Sequence, residues 1–422
     1  MPALLLAVVL TALPRFAPPE NSLIIMHATV VPMETDDVFP GFTVVVRNGR
    51  IAWMGPDEET EIPAGAEVID GRGAFLLPGL ADMHVHASAE DFPGFLAAGV
   101  TTIREMNGTP DHLAWREEIA AGERLGPRLV VTGPLIAGEE QRWRHALART
   151  PAEAEALVRE HARLGYDAVK VYDGLSAEVY AALAATANEM GIPFVGHVPA
   201  SVGLDGVLDG GQAGIEHANQ VAGHPPDPAS FEGIARRISV VGAWVTPTLA
   251  SLEALALAGS PAYAERLEQE DVALVDAGLV AWWRSLAEPV EAERTERRLE
   301  GLERMRELTR ALAEAGVPLL AGTDTPNPLM IPGSSLHDEI RNLVAAGLSP
   351  YEAIRTATAA PARFLGEERK WGTITEGARA DLLLVRADPL QDVGALADPV
   401  GIVVAGRWLP ADRLARLVEE AR

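Results

Sequence analysis

Residues 168–217 open with Ala168-Val169-Lys170-Val171-Tyr172 and continue through Ser176 into the run Ala177–Met190. They then reach Phe194-Val195-Gly196-His197-Val198 and Gly214-Ile215-Glu216-His217. Short apolar runs bounded by a helix-forming stretch are the signature of parallel strands joined by crossover helices. Ser176 stands where a helix needs a side-chain cap. Working outward, the same pattern recurs upstream at Ala81–His86, Val100–Arg104 and Leu129–Thr132, and downstream at Trp244–Thr248 and Val317–Thr323. Pro151–Leu164, after Thr150, supplies another capped helix. Eight such strands are the number that closes a barrel, so the expectation is an α/β fold with a (β/α)8 TIM barrel. The stretch from Leu252 to Leu299 exceeds a simple connection and is predicted to be a helical insertion over the active-site face.

Both ends of the chain read as β structure. Phe42-Thr43-Val44-Val45-Val46 and Ile51-Ala52-Trp53-Met54 flank Arg47-Asn48-Gly49-Arg50. Asn-Gly accepts the positive φ of a type I′ hairpin turn. Ala380–Val385 and Ile402–Trp408 are further short β runs. The two ends are therefore expected to meet in a small β-sandwich domain. The domain layout that follows is residues 20–78 and 372–422 for that domain, the latter with a C-terminal helix, and 79–371 for the barrel, with its insertion at about 252–299. Residues 1–19 hold the apolar run Ala3–Leu13 before Pro14-Arg15, which is short for a bilayer span and fits a signal or anchor segment. That places the protein outside the cytoplasm, exported or periplasmic, with membrane contact only through this segment; the alternative is a cytoplasmic protein.

The 422 residues carry a formal charge of −25, with 35 Lys plus Arg against 60 Asp plus Glu. Such a surface repels phosphate backbones and argues against a nucleic-acid partner. There are no cysteines, which removes thiol nucleophiles, iron–sulfur clusters and thiolate zinc sites. A metal here must be held by imidazole, carboxylate or something less usual.

The chemistry-bearing residues fall at strand ends. His84-Val85-His86 puts two imidazoles on one face of a strand, because side chains alternate. His197 and His217 close the fifth and sixth strands, and Asp324 follows the eighth. In a barrel all these ends converge on one face, so four of the ten histidines and one Asp point to a shared metal site. Lys170 and Lys370 are the only lysines in a chain that otherwise uses Arg, and Lys170 lies in a strand aimed at the same mouth. A buried lysine can lose its proton and react, and a neutral amine can take up carbon dioxide to become a carbamate, an anionic bridge for two cations. A buried lysine paired with an acid is the plainer reading.

His84, His86, Lys170, His197, His217 and Asp324, in that order, resemble the amidohydrolase superfamily, in particular its imidazolonepropionase-like and Xaa-Pro dipeptidase-like branch. Leu77-Pro78-Gly79-Leu80, Pro332–His337 and Gly372–Leu382 belong to the same likeness. The resemblance implies that the first metal is held by His84, His86 and Asp324. It implies that the second is held by His197 and His217, with carboxylated Lys170 and a hydroxide between the ions. The cofactors implied are two divalent ions, zinc first, with Asp324 as the catalytic proton carrier and Tyr172 as a substrate-binding donor. The activity implied is hydrolysis of an amide bond of a small substrate, a dipeptide above all. Alternatives are hydrolysis of a cyclic amide, lactone or organophosphate ester, and, from another class, a non-catalytic ligand-binding barrel. Lys170 favours the two-metal members over imidazolonepropionase itself. The family's Gly-Gly-His after the third strand is replaced by Gly133–His145, in which Arg142, Arg144 or His145 are candidates for a substrate carboxylate. His224 is a further candidate for the substrate side, whereas His27, His112 and His161 look structural. A homo-oligomer is compatible with all of this.

Overall fold

The computed structural model describes residues 22–62, 65–223 and 228–420; the N-terminal segment 1–19 and His224 lie outside them. Strands β1 (Leu23–Val30), β2 (Phe39–Arg47), β3 (Arg50–Pro56), β4 (Glu67–Asp70) and β5 (Phe75–Pro78) come first. The central α/β region holds β6 (Leu80–Val85), β7 (Val100–Glu105), β8 (Arg128–Val131), β9 (Leu135–Ala137) and β10 (His145–Leu147). It continues with β11 (Val169–Val171), β12 (Phe194–Gly196), β13 (Gly214–Glu216) and β14 (Trp244–Thr246). The chain ends with β15 (Leu382–Val385), β16 (Pro399–Val404), β17 (Arg407–Pro410) and the helix Ala411–Glu420.

The two ends do meet, in one eight-stranded sheet ordered β17-β16-β15-β5-β1-β2-β3, with β4 on β1. This corrects the expected pair of facing sheets. Alternation explains how one sheet suffices: Leu382 and Leu384 of β15 face the core of this sheet with Ile25 and Val44, while Leu383 and Val385 face the main core. Arg47 and Arg50 pair across the hairpin, with Asn48 and Gly49 both at positive φ, as the Asn-Gly turn predicts.

Seven of the eight expected central strands are present, each followed by helix or loop, and all pair in parallel. They form two sheets, β6-β7-β8 and β10-β9-β11-β12-β13-β14. Between them are isolated parallel bridges, Thr132 to Ala168, Val245 to Leu319 and Val85 to Thr325. The expected eighth strand, 317–323, is not a regular strand, so the described residues contain no single closed sheet. Its backbone still bonds to both neighbours: Met83 N–H donates to Ala321 O at 2.9 Å and Leu320 N–H to Val245 O at 3.0 Å. Gly322 permits this approach, since a Cβ there would stand 2.8 Å from the Cβ of His84.

The helices begin where the caps predict. Thr150 and Glu153 form a reciprocal capping box for Pro151–Leu164, and Ser176 accepts from Val179 N–H ahead of Ala177–Met190. The insertion comprises Leu249–Leu257, Pro261–Leu267, Ala277–Ser285 and the start of Ala292–Glu314. Tyr263 and Trp283 pack with Leu329–Ile331, and Trp283 Nε1 donates to Pro326 O at 3.3 Å, which ties the insertion to the segment carrying Asp324. No described helix is long and apolar enough to cross a membrane.

Candidate active site

The parallel strands deliver their carboxyl ends to one cavity of about 200 Å³, lined by His84, His86, Lys170, Tyr172, His197, His217 and Asp324. These seven side chains, named from the sequence, lie together. His197 and His217 are the first residues beyond β12 and β13, and Lys170 is the middle residue of β11. His84 Nε2 and His86 Nε2 each stand 3.3 Å from Asp324 Oδ1. One ligand atom from each of these three residues fits within a 4.8 Å cluster, the spacing a single cation needs. The His217 ring lies 4.7 Å from that of His84 and 5.0 Å from that of His197, centre to centre. The Lys170 amine is buried and hydrogen-bonds to nothing among the described residues.

Each imidazole is held from behind through Nδ1. His84 Nδ1 contacts Glu216 Oε2 at 2.8 Å, and Glu216 Oε1 accepts from buried Arg104 at 2.7 Å. His86 Nδ1 faces Glu105 at 3.8 Å, His197 Nδ1 meets Asp173 at 3.0 Å, and His217 Nδ1 meets Thr248 Oγ1 at 2.8 Å. Engaging Nδ1 orients the ring and leaves Nε2 as the ligating nitrogen, the usual arrangement behind a metal-binding histidine. His217, Thr248 and Asp324 all have positive φ, an uncommon conformation for side chains with a Cβ that clusters at functional sites. Asp82 accepts from both N–H and Oγ1 of Thr323, fixing the turn into Asp324.

Burial keeps His217 neutral, at about 3, and pushes His84 well below its ordinary value. Burial also lowers His197, against the pull of Asp173. Neutral imidazoles are what a cation requires of its ligands. His86 goes the other way: burial opposes its charge, but hydrogen bonds to Asp324 and Glu105 raise it to about 9. Asp324 is held below the usual carboxylate range, burial being outweighed by His217 and His86. Desolvation brings Lys170 down to about 8, so about a tenth of the amine is neutral at pH 7, far more than for an exposed lysine. Tyr172, whose ring centre lies 4.2 Å from that of His197, is pushed up to about 12 by burial and stays a proton donor.

The Amidohydrolase family model matches residues 75–409. The chain belongs to the amidohydrolase family. An adenine deaminase of Paracoccus denitrificans is 26% identical over 91% of the chain, which spans only 57% of that longer relative. The imidazolonepropionase of Anaeromyxobacter dehalogenans is 27% identical over 87% of the chain and 90% of its own length. Among solved structures, a Bifidobacterium longum protein inferred to be a prolidase is 28% identical with a TM-score of 0.73, covering 96% of this chain and all of its own. The family resemblance read from the sequence therefore holds.

Not every residue singled out for this amidohydrolase reaches the cavity. Arg144 donates to Asn107 O and Gly108 O, and His145 lies 3.3 Å from Glu140, so both are engaged within the loop structure. Arg142 stacks its guanidinium 4.3 Å over the ring of Trp282, beside Trp143, which lines the cavity. Gly133–His145 is also not a plain loop, since it contributes β9 and β10 to the sheet alongside β11. His112 is structural, its Nδ1 accepting from Thr109 N–H at 3.0 Å and its Nε2 donating to Ala87 O at 2.7 Å. Glu216, Glu105, Asp173, Thr248 and Asn327 were not singled out by the sequence. An acid inside an apolar strand beside a strand-end histidine, as in Glu216-His217, is the signal that marks one of them.

Proposed function

We propose that this chain is a metal-dependent hydrolase that cleaves an amide bond of a small substrate, with a dipeptide of the Xaa-Pro kind as the leading class. The observation that carries the reading is the gathering of four histidines, Asp324 and the orphaned, desolvated Lys170 amine around one cavity. A buried lysine without a partner is costly unless the site supplies one, and carboxylation, which would turn the amine into an anionic metal ligand, would answer that cost. The donor chemistry suits two divalent ions, zinc above all: His84, His86 and Asp324 would hold one, His197 and His217 the other, and a carboxylated Lys170 would be a further anionic ligand. Bound there, the ions would supply the Lewis acidity that makes water nucleophilic near neutral pH and polarises a carbonyl.

The protein's own groups then handle position and protons. Asp324, ionised and in contact with Asn327, is placed to take a proton from the attacking water and pass it to the leaving nitrogen. Tyr172 retains its hydroxyl proton for the substrate carbonyl or carboxylate. The insertion, through Leu252 and Leu255, and Trp143 form part of the cavity wall. The isolated bridges joining the two parallel sheets support a TIM-barrel-type arrangement, with the terminal sheet as a second unit. We extend the proposal to export through residues 1–19; N-terminal sequencing of the mature protein tests it, and an intact Met1 in a cytosolic fraction rejects it.

Hydrolysis of a cyclic amide is the second reading, favoured by the likeness to imidazolonepropionase across nearly its whole length. The deciding experiment assays Xaa-Pro dipeptides against cyclic amides and lactones with zinc supplied, alongside Lys170→Ala. The variant should lose at least about 100-fold in kcat/KM and bind less metal by elemental analysis. Full activity and full metal content in Lys170→Ala would end the two-metal proposal, and a strong preference for cyclic substrates would replace the dipeptide.

A further inference from the structure

The catalytic cavity does not end at the metal-site residues. A second cavity of about 410 Å³ shares three of its walls, Asn219, Leu252 and Leu255. Leu255 is 42% exposed, a solvent-facing leucine on the boundary between the two spaces. The second cavity is otherwise apolar, walled by Ala222, Leu302 and Met305, but two cations from helix Ala292–Glu314 flank it, Arg298 and Arg304. Arg298 is anchored, donating to Ala258 O at 2.7 Å. Arg304 has no carboxylate within salt-bridge distance among the described residues. In a chain with a net charge of −25, where acids outnumber bases, a half-buried arginine on the wall of an apolar groove with no acid within salt-bridge distance among the described residues is a ready anion site.

We propose that the two cavities form one binding channel, and that the substrate carries an apolar acyl arm, longer than an ordinary amino-acid side chain, ending in an anionic group held by Arg304. The proposal rests on the amide-hydrolase reading and deepens it. Tyr172, on the β11 side, serves the leaving-group end. The second cavity is reached past Asn219, two residues after His217, and with Tyr172 serving the leaving-group carboxylate the acyl half is the part of the substrate that runs into it. Leu252 and Leu255 bury the methylenes of the arm, and Arg304 meets its end; apolar walls with one convergent charge are the usual make-up of a specific small-molecule pocket.

Binding separates this from the catalytic question. N-ethyl-, N-octyl- and N-(7-carboxyheptyl)-L-proline, in which a methylene replaces the scissile carbonyl, cannot be hydrolysed and can be titrated calorimetrically into the zinc-supplied protein. The octyl compound should bind more tightly than the ethyl one, and the terminal carboxylate should add about a further tenfold. Arg304→Ala should abolish the difference between the two long ligands, and Arg304→Lys should restore part of it. Equal affinities for all three ligands, or a carboxylate preference that survives in Arg304→Ala, would overturn the channel. The predicted ranking without turnover of the corresponding N-acyl-prolines would uphold the channel and sink the amide-hydrolase reading instead.

Discussion

His84 shows how much one side chain here depends on its neighbours. Its ring is buried, Nε2 faces Asp324, and Nδ1 is gripped by Glu216, which is itself neutralised by Arg104. Two buried charges are tolerable because each finds the other along with the imidazole; removing one leaves the rest uncompensated. Glu216→Gln should therefore weaken metal binding by about 10- to 100-fold, read by competition with a chromophoric chelator. Unchanged affinity would mean that Glu216 does not orient the ring. The His-x-His pair and the strand-end histidines are recognisable from spacing and strand alternation, and Lys170 from its place in a strand of a chain with only two lysines. Arg104 is not, since it meets Glu216 across 112 residues of chain and no local pattern links them.

The helix Leu249–Leu257 follows β14, and its N-terminus carries much of the site. Its N-cap Thr248 bonds His217, and Ser251, Leu252 and Leu255 line the cavity. Thr248 provides no side-chain cap; instead the fully buried Glu339, from helix Ser334–Ala345, accepts from Ala250 N–H at 2.7 Å. Burial pushes the Glu339 carboxyl up to about 8, so it binds the helix end largely protonated at neutral pH. Glu339→Ala should cost about 1–3 kcal/mol in urea denaturation and raise KM, whereas Glu339→Gln, which keeps an acceptor oxygen, should cost less. Equal losses in both variants would show that the hydrogen bond is not what matters. The helices were legible because their caps are local. The segment 317–323 was read as a strand from its apolar run, but Pro318 cannot donate to a ladder and its partners are reached only by isolated bridges.

Across the whole molecule, buried neutral histidines set the acid limit. Burial depresses His161 and His337 to about 4 each. A histidine whose folded pKa lies below its unfolded value contributes stability that is complete above about 6.5 and is lost as pH falls toward 4. Each should cost about 2 kcal/mol at pH 5, and the urea midpoint of His161→Leu should fall less between pH 7 and pH 5 than that of the parent chain. A parallel fall would assign the acid limit to carboxylates instead. By itself the sequence determined the alternating strand and helix order, the Asn-Gly hairpin, the meeting of the two ends and the residues that face the cavity. The first two follow from periodicity and turn chemistry within a few residues; the others drew on the order of strands along the whole chain, the scarcity of lysine and the family likeness. Only the tertiary structure decided that the ends share one sheet, that 317–325 bridges without becoming a strand, and that Arg104, Glu216 and Glu339 hold the site from behind. Those outcomes depend on which buried charges and unpaired backbone groups come face to face. That pairing is settled by packing between segments distant in the chain, 89 residues or more for Glu216 with His84 and Arg104 and for Glu339 with Ala250.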